Sequence, residues 1–275
     1  MEKKINYSVL MSVYYKENPE WLDIAIKSML AQTFLTNDFV IIKDGPLTSE
    51  LDSVISKYQR KYPDIFNIVA LEKNVGLGPA LKIGVENCKN EWIARMDSDD
   101  YSIPTRCEKE IKKIIEDNTL DIIGSNIAEF IDDIKNVQAY RILPEKNDEI
   151  YKYARRRNPF GHPSVMLRKS KVIEAGNYRE YYLCEDYDMW IRMIEKKAKC
   201  YNIQDILVYM RVSNDFYKRR GGIKYLKSIL KFKKEQYLKG FYSLKDFIIS
   251  SSAHIIMCLL PNKLRDFLYK KTLRK

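Results

Sequence analysis

A chain of 275 residues that is 45% hydrophobic and 31% charged, with only 10 Gly and 9 Pro, can bury one large core plus an appendage. This composition excludes a disordered, collagen-like or repetitive protein and leaves little room for two independent enzymes. The formal charge of +11 is uneven: residues 215–275 carry 16 Lys and Arg against 4 Asp and Glu, a net of +12, which leaves residues 1–214 at −1.

The first residues, Met-Glu-Lys-Lys-Ile-Asn, carry no apolar signal-peptide core and lead straight into Tyr7–Val13, a short β-rich run, so export is not expected. A loop, Tyr14 to Pro19, follows, and Trp21 to Gln32 has the spacing of an amphipathic helix. The unit then repeats. Phe39–Ile42 predicts a second strand ending at Asp44-Gly-Pro46, and Leu51, Val54, Ile55 and Tyr58 fall at helical spacing. Ile65–Leu71 predicts a third strand, Gly78–Cys88 a third helix, and Glu91–Met96 a fourth strand that stops at Asp97-Ser-Asp-Asp100. Further on, a helix is expected over Glu108–Glu116, a strand over Asp121–Asn126, helices over Lys171–Ala175 and Tyr187–Lys196, and a last strand over Leu207–Val212. The stretch from 127 to 159 shows no regular period.

Three β-loop-α units followed by a strand predict an α/β fold: a Rossmann-like, open, mostly parallel sheet flanked by helices on both faces. In such sheets ligands bind outside the carboxyl ends of the strands, here Tyr14–Glu17, Asp44–Pro46, Lys73–Gly76 and Asp97–Asp100. The polar motifs therefore converge on one rim. Three carboxylates within Asp97-Ser-Asp-Asp100 repel one another unless a cation separates them, which suits magnesium or manganese shared with substrate phosphates. The same residues would also serve as a helix cap. Neither a GxGxxG nor a GxxxxGK[ST] spacing is present, so Asn74-Val-Gly-Leu-Gly78 reads as a tight strand-to-helix turn. Cys88, Cys107, Cys184, Cys200 and Cys258 are odd in number and lack CxxC spacing, which suggests a reducing, cytoplasmic setting without a disulfide framework or zinc site.

Several separate segments, in order over residues 7–220, carry a resemblance to the family 2 inverting glycosyltransferases of A-type fold, in particular the bacterial capsule and exopolysaccharide branch. They are Val9-Leu-Met-Ser-Val-Tyr14, Ser28-Met-Leu-Ala-Gln-Thr33, Asp44-Gly-Pro46, Lys73-Asn-Val-Gly-Leu-Gly78, Ala94-Arg-Met-Asp-Ser-Asp-Asp100, His162-Pro-Ser-Val-Met166 and Cys184-Glu-Asp-Tyr-Asp-Met-Trp190. The resemblance implies that Asp44 accepts a hydrogen bond from a pyrimidine imide, while the backbone of Ser12, Val13 and Tyr14 lines the base. Asn74, Gly76, Arg95, Ser98 and Glu17 would approach the nucleotide sugar, Asp97 would contact ribose or metal, and Asp99 would be the principal metal ligand. It also implies Asp186 as catalytic base, with Glu185 contacting acceptor or donor sugar; helix capping is the competing reading. His162 is a site residue without a fixed role. The expected donor is a uridine diphosphate sugar, with guanosine and thymidine donors open, and the expected acceptor is a hydroxyl of a growing glycan on a lipid carrier.

Arg219 and Arg220 precede Gly221-Gly222 and could close over a diphosphate, or simply begin the basic tail. The chain divides into a catalytic domain over 1–220 and a basic helical extension over 221–275. In the extension Lys224–Lys239 combines Ile229, Leu230, Phe232 and Tyr237 with six lysines, the pattern of a helix lying on a membrane. Phe247–Leu260 is a second apolar run, too short for the roughly 20 residues of a span. Peripheral attachment to the inner face of the cell membrane follows as an expectation; two helices packed on the catalytic domain are the plainer reading. A nucleotidyltransferase is the alternative enzyme, but residues 10–20 lack its basic phosphate-gripping loop. Nucleic acid is not expected as a partner, because no recognised motif supports it. A non-catalytic membrane scaffold is disfavoured by the intact acidic motifs.

Overall fold

The structure is a computed structural model that describes residues 5–213, 221–262, 264, 265 and 268. Arg219 and Arg220 lie outside the described residues, and with them the expectation that they close over a diphosphate.

The chain begins with three β-loop-α units and a fourth strand: β1 (Tyr7–Val13), α1 (Pro19–Leu30), β2 (Asp38–Lys43), α2 (Ser49–Lys61), β3 (Phe66–Ala70), α3 (Leu77–Asn87) and β4 (Trp92–Arg95). Asn18 starts α1 by accepting hydrogen bonds from the main-chain N–H groups of Glu20 and Trp21, with Pro19 as the first helical residue. Thr48 caps α2 in the same way, through the N–H of Leu51. Then come β5 (Tyr101–Ser102), α4 (Arg106–Glu116), β6 (Leu120–Phe130), β7 (Val137–Arg141), α5 (Asn147–Ala154), a 3-10 turn at His162–Ser164, β8 (Met166–Arg168), α6 (Lys169–Glu174), α7 (Glu185–Glu195) and β9 (Lys199–Arg211). Two helices, α8 (Gly222–Leu238) and α9 (Leu244–Leu259), complete the described chain.

All nine strands form one sheet in the order β3-β2-β1-β4-β8-β6-β9-β5, with β7 on the flank of β6. Pairing is parallel from β3 to β4 and again between β6 and β9, and antiparallel at β8, β5 and β7. The strand sequence runs outward from β1 to β3 and then jumps back to β4 on the other side of β1. The carboxyl ends of β1 and β4 therefore diverge into a crevice, which is where α/β sheets bind ligands.

Alternation within the strands builds two cores. Val9, Met11 and Val13 of β1, with Phe39 and Ile41 of β2, pack against α1, α2 and α4 through Leu22, Ile26, Ile55 and Ile111. Leu10, Val40, Ile42 and Ile93 face the other way, against Leu81 and Val85 of α3 and Met189, Trp190 and Met193 of α7. Burial on both faces is why these strands read as continuous apolar runs.

The region without a regular period, 127–159, contains the second half of β6, β7 and α5. The last strand starts at Lys199, eight positions before the expected Leu207, because β9 pairs with β6 along most of its length. Asn202 breaks its apolar pattern yet is fully buried, since its Nδ2 donates to the carbonyls of Pro144 and Pro159. α8 buries the aromatic face that the sequence suggested for a membrane: Tyr225, Ile229 and Phe232 pack on Cys184, Tyr187 and Ile191 of the α7 region. The hydroxyls of Tyr187 and Tyr242 lie 2.9 Å apart within that cluster.

Candidate active site

A cleft of ≈ 850 Å³ opens over the β1/β4 crevice. Ser12, Tyr14, Glu17, Asp44, Asn74, Gly76, Asp97, Ser98, Asp99 and Glu185, which the sequence separates by up to 173 positions, all line it.

On one side Asp44 follows β2 and organises the turn before α3. Its carboxylate accepts hydrogen bonds from the N–H groups of Val75 (2.7 Å) and Gly76 (3.1 Å) and from Asn74 Nδ2 (3.1 Å), while its own N–H donates to the carbonyl of Val13 at 2.8 Å. The Val13 side chain is buried in the core, so this residue meets the loop through its backbone only. Gly45 and Gly76 both hold positive φ, at 86° and 88°. A Cβ on Gly45 would stand 2.6 Å from the nitrogen of Asn74, so glycine there permits the close approach of the two loops. Gly78 likewise lets α3 meet the segment before α7: a Cβ would lie 2.4 Å from the carbonyl of Arg179 and 3.4 Å from Cβ of Glu185.

On the other side stands the acidic loop after β4. Arg95 is buried and forms an ion pair with Asp97. Its Nε and Nη1 have no hydrogen-bond partner among the described residues. Ser98 Oγ donates to Glu17, tying this loop to the one that follows β1. Burial, then the charges of Asp97 and Glu17, push the Asp99 carboxyl up to about 7. Asp100, almost fully buried, is pushed well up by burial and by its two acidic neighbours. One of its oxygens accepts the Arg211 N–H at 2.7 Å and the other has no partner among the described residues. Burial, together with Asp97, also raises Glu17.

This donor set fits a hard divalent ion. Asp97 and Asp99 are half-buried carboxylates at the cleft, and the crowding that keeps protons on the loop is what a cation relieves. Among the described residues no three His, Cys, Asp or Glu side chains group closely enough to hold a metal alone, so substrate oxygens and water would complete its coordination.

α7 begins at Glu185, so the acidic pair sits in its first turn. Glu185 is 8% exposed and lines the cleft, and burial followed by the charge of Asp186 pushes it up to about 7. Asp186 is half-buried; its Oδ2 accepts from Asn158 Nδ2 at 2.6 Å and its Oδ1 from the Tyr187 N–H at 2.7 Å. It stands beside the cleft rather than among the residues that line it.

His162 is set behind the cleft. Its Nε2 lies 2.9 Å from the Tyr178 hydroxyl and its ring meets Trp190 edge-on, while burial and then the Arg95 guanidinium hold it well below the usual histidine range. A neutral imidazole in that setting supports the wall and is not among the residues lining the cleft.

The sequence reading missed Arg211, Asp132 and Tyr181–Leu183, all of which line the cleft. Arg211 ends β9 and is sandwiched between the rings of Trp21 and Phe130, with its guanidinium carbon 4.5 Å from each centroid. Asp132 and Leu183 are non-glycine residues at φ 59° and 58°, conformations that cluster at functional sites. The one signal in the sequence for Arg211 is a lone cation closing an apolar strand.

The chain matches the family model described as Glycosyl transferase family 2 over residues 8–176. It is 37% identical over 269 residues to the Escherichia coli UDP-Gal:alpha-D-GlcNAc-diphosphoundecaprenol beta-1,3-galactosyltransferase, covering 98% of this chain and 97% of that protein. It is 35% identical over 268 residues to the amylovoran biosynthesis glycosyltransferase AmsE of Erwinia amylovora, covering 96% and 98%. Among solved structures it resembles the Pyrobaculum calidifontis mannosyltransferase PcManGT in complex with GDP-Man and Mn2+, with a TM-score of 0.66 at 12% identity over 96% of this chain and 72% of that one. It also resembles S. aureus TarS 1-349 in complex with UDP-GlcNAc, with a TM-score of 0.60 at 16% identity over 97% and 87%. These two likenesses establish the A-type glycosyltransferase fold.

Proposed function

From the premise that this chain belongs to glycosyl transferase family 2 and is a glycosyltransferase, we propose that it transfers a sugar from a uridine diphosphate sugar to a hydroxyl of a lipid-linked glycan, inverting the anomeric centre. The observation that carries this reading is the convergence of Asp44, the Asn74–Gly78 turn, the Asp97–Asp99 loop and Glu185 around one cleft at the switch point of the sheet. The donor and acceptor in the E. coli relative's name make UDP-galactose and a diphosphate-linked N-acetylglucosamine lipid the first substrates to test.

Asp44 and the backbone of Ser12–Tyr14 receive the base, with Asp44 retaining acceptor capacity beyond its three loop contacts. Asn74 and Gly76 bring main-chain and amide groups to the nucleotide from the start of α3. Asp97 and Asp99 would hold manganese or magnesium, which neutralises charge on a departing diphosphate. The buried Arg95 adds a fixed positive charge behind that loop.

Proton removal falls to the acidic pair on α7. Glu185 and Asp186 have different surroundings, and such a difference separates the tasks of two neighbouring carboxyls. Asp186, held by Asn158, takes the proton of the acceptor hydroxyl; Glu185, which carries its proton up to about 7, donates to a sugar hydroxyl. The acceptor oxygen bonds to the anomeric carbon as the bond to the diphosphate oxygen breaks, and the nucleoside diphosphate leaves with that electron pair. One displacement inverts the centre, and no carboxylate nucleophile is needed. The acceptor lipid would place the enzyme at the inner face of the cell membrane. Among the described residues no helix is long and apolar enough to cross a membrane.

The test is thermal stabilisation by UDP, GDP, TDP and CDP, each with and without manganese, on the wild type and on Asp99→Ala. Manganese-dependent stabilisation by UDP that the variant loses is the expected result. A response confined to GDP or TDP would replace the donor, and no response to any nucleotide would overturn the proposal.

A further inference from the structure

α9 is built inside out. Its buried residues are Asp246, Ser250, Ser251 and Cys258, whereas Leu244, Ile248, Ile249, Ile255, Ile256 and Leu259 are exposed, Leu259 by 68% and Ile256 by 59%. At about 100° per residue, Leu244, Ile248, Ile255 and Leu259 fall within an arc of roughly 60°, and Ile249 and Ile256 extend the same face. A helix whose purpose is to pack on the domain would turn this stripe inward.

The orientation is held by specific contacts. Ser243 caps the helix at the Asp246 N–H, and the Asp246 carboxylate accepts from Ser243 Oγ and from Arg156 Nε, at 2.7 and 2.9 Å. The buried Lys233 of α8 donates to the carbonyl of Ser250 at 2.6 Å. At the far end Arg265 closes the last turn of α9 itself, donating to the carbonyls of Met257 and Leu260, so Arg156 and Lys233 are what set the helix's orientation. Rolling α9 to bury its aliphatic face would take Asp246 away from Arg156 and the Ser250 carbonyl away from Lys233.

Charge on the two helices is sorted in the same sense. The exposed residues of α8 include Lys224, Lys227, Lys231 and Lys234, and Lys239 and Lys245 are exposed beside them. The only acidic residues in 221–262 are already paired, Glu235 with Lys239, Arg179 and Tyr181 and Asp246 with Arg156. The exposed side chains are therefore aliphatic on α9 and mostly cationic on α8, a combination complementary to an anionic bilayer and not to a second copy of itself, since like charges would repel.

We propose that α9 is the membrane-contacting element: its Leu/Ile face enters the headgroup boundary of an anionic lipid surface while the lysines of α8 and Lys245 contact lipid phosphates. The proposal rests on the reading of the acceptor as lipid-linked, and it moves the contact from Lys224–Lys239, whose aromatic face is spent on α7, to the following helix. Because α8 packs on Tyr187, the residue after the acidic pair, the contact would set the cleft at a fixed height over the lipid surface.

The experiment is flotation of the full chain with vesicles of phosphatidylglycerol and phosphatidylcholine, and with phosphatidylcholine alone. It compares the wild type with the triple variant Ile248→Ser, Ile256→Ser, Leu259→Ser and with Lys227→Gln, Lys231→Gln, Lys234→Gln. The expected result is binding of the wild type to the anionic vesicles, about tenfold or more weaker in the serine variant, and loss of the preference for anionic lipid in the glutamine variant. All three chains should keep the same UDP-dependent thermal shift, which shows that the fold survives. Equal flotation of wild type and serine variant, or none by the wild type, overturns the proposal; so does a dimer that the serine variant dissociates without any vesicle binding. A UDP shift missing from all three chains, with flotation behaving as expected, would sink the donor assignment and leave the lipid-facing helix standing.

Discussion

Arg211 Nε donates to the main-chain carbonyl of Asp99 at 3.0 Å, joining the end of the last strand to the acidic loop 112 positions earlier. The Arg211 main-chain N–H completes the link at the Asp100 carboxylate, and Nη1 donates to the carbonyl of Asp132. One guanidinium, stacked between Trp21 and Phe130, thus fixes the loop that presents Asp97 and Asp99.

Arg211→Ala should therefore weaken manganese-dependent UDP stabilisation by about 1.5–3 kcal/mol, the range for a hydrogen bond made by a charged group. Arg211→Lys should not restore it, because an ammonium cannot stack and donate sideways at once. Titration of the thermal shift with UDP decides this, and an unaltered response in Arg211→Ala would show that the loop holds its own geometry.

Glu185→Gln tests the pH behaviour of the cleft. The folded chain keeps a proton on Glu185 up to about 7, whereas its ordinary value is 4.5, so wild-type stability falls as pH rises between those values and stays lowered above them. Glutamine does not titrate. The stability of the variant relative to the wild type should therefore grow from pH 5 to pH 7, by up to about 1.4 kcal/mol for each tenfold fall in proton concentration, and level off above. Melting curves of both chains across that range measure it, and a difference independent of pH would remove burial as the force acting on Glu185.

Asp186→Asn should lower the transfer rate by about 10²–10⁴-fold, the usual worth of a general base, while UDP stabilisation stays as in wild type. If instead Glu185→Gln abolishes transfer and Asp186→Asn leaves the rate intact, the proton goes to Glu185.

Gly45→Ala should be costly far beyond its single methyl group. The position needs φ of 86° and the added carbon would meet Asn74 at 2.6 Å, so a loss of about 1–3 kcal/mol is expected together with a weaker UDP response. Melting curves with and without UDP measure both; an unchanged response would separate the Asn74 turn from nucleotide binding.

Arg106→Ala should destabilise the chain by about 3–5 kcal/mol, because it leaves the buried Glu110 without its partner. Arg106 also donates to the carbonyls of Arg95 and Val165, which hold β4 against its neighbour just before the acidic loop. Denaturant unfolding of Arg106→Ala and of the double variant Arg106→Met, Glu110→Leu distinguishes the two contributions: the double variant should recover most of the loss.

Local pattern was sufficient for the first half of the molecule. Tyr7–Val13, Phe39–Ile42 and the helices between them announce themselves because each strand is buried on both faces and each helix on one, so periodicity within a dozen residues reports the environment. The same logic places Asp44, Asn74–Gly78 and Asp97–Asp99 at strand ends, hence on one rim. Partner choice between distant segments is a different kind of information. β6 and β9 pair across some eighty positions, with the buried Asn202 Nδ2 donating to carbonyls that other segments bring, and the strand pattern is broken for that reason. Arg211 entered the cleft through that pairing, and Asp186 acquired Asn158 through the packing of α7. In the basic extension the amino acids specified a lysine-rich amphipathic helix and a second apolar run, but only the buried contacts of Asp246 with Arg156 and of Lys233 with Ser250 decided which one turns its aliphatic face to the outside.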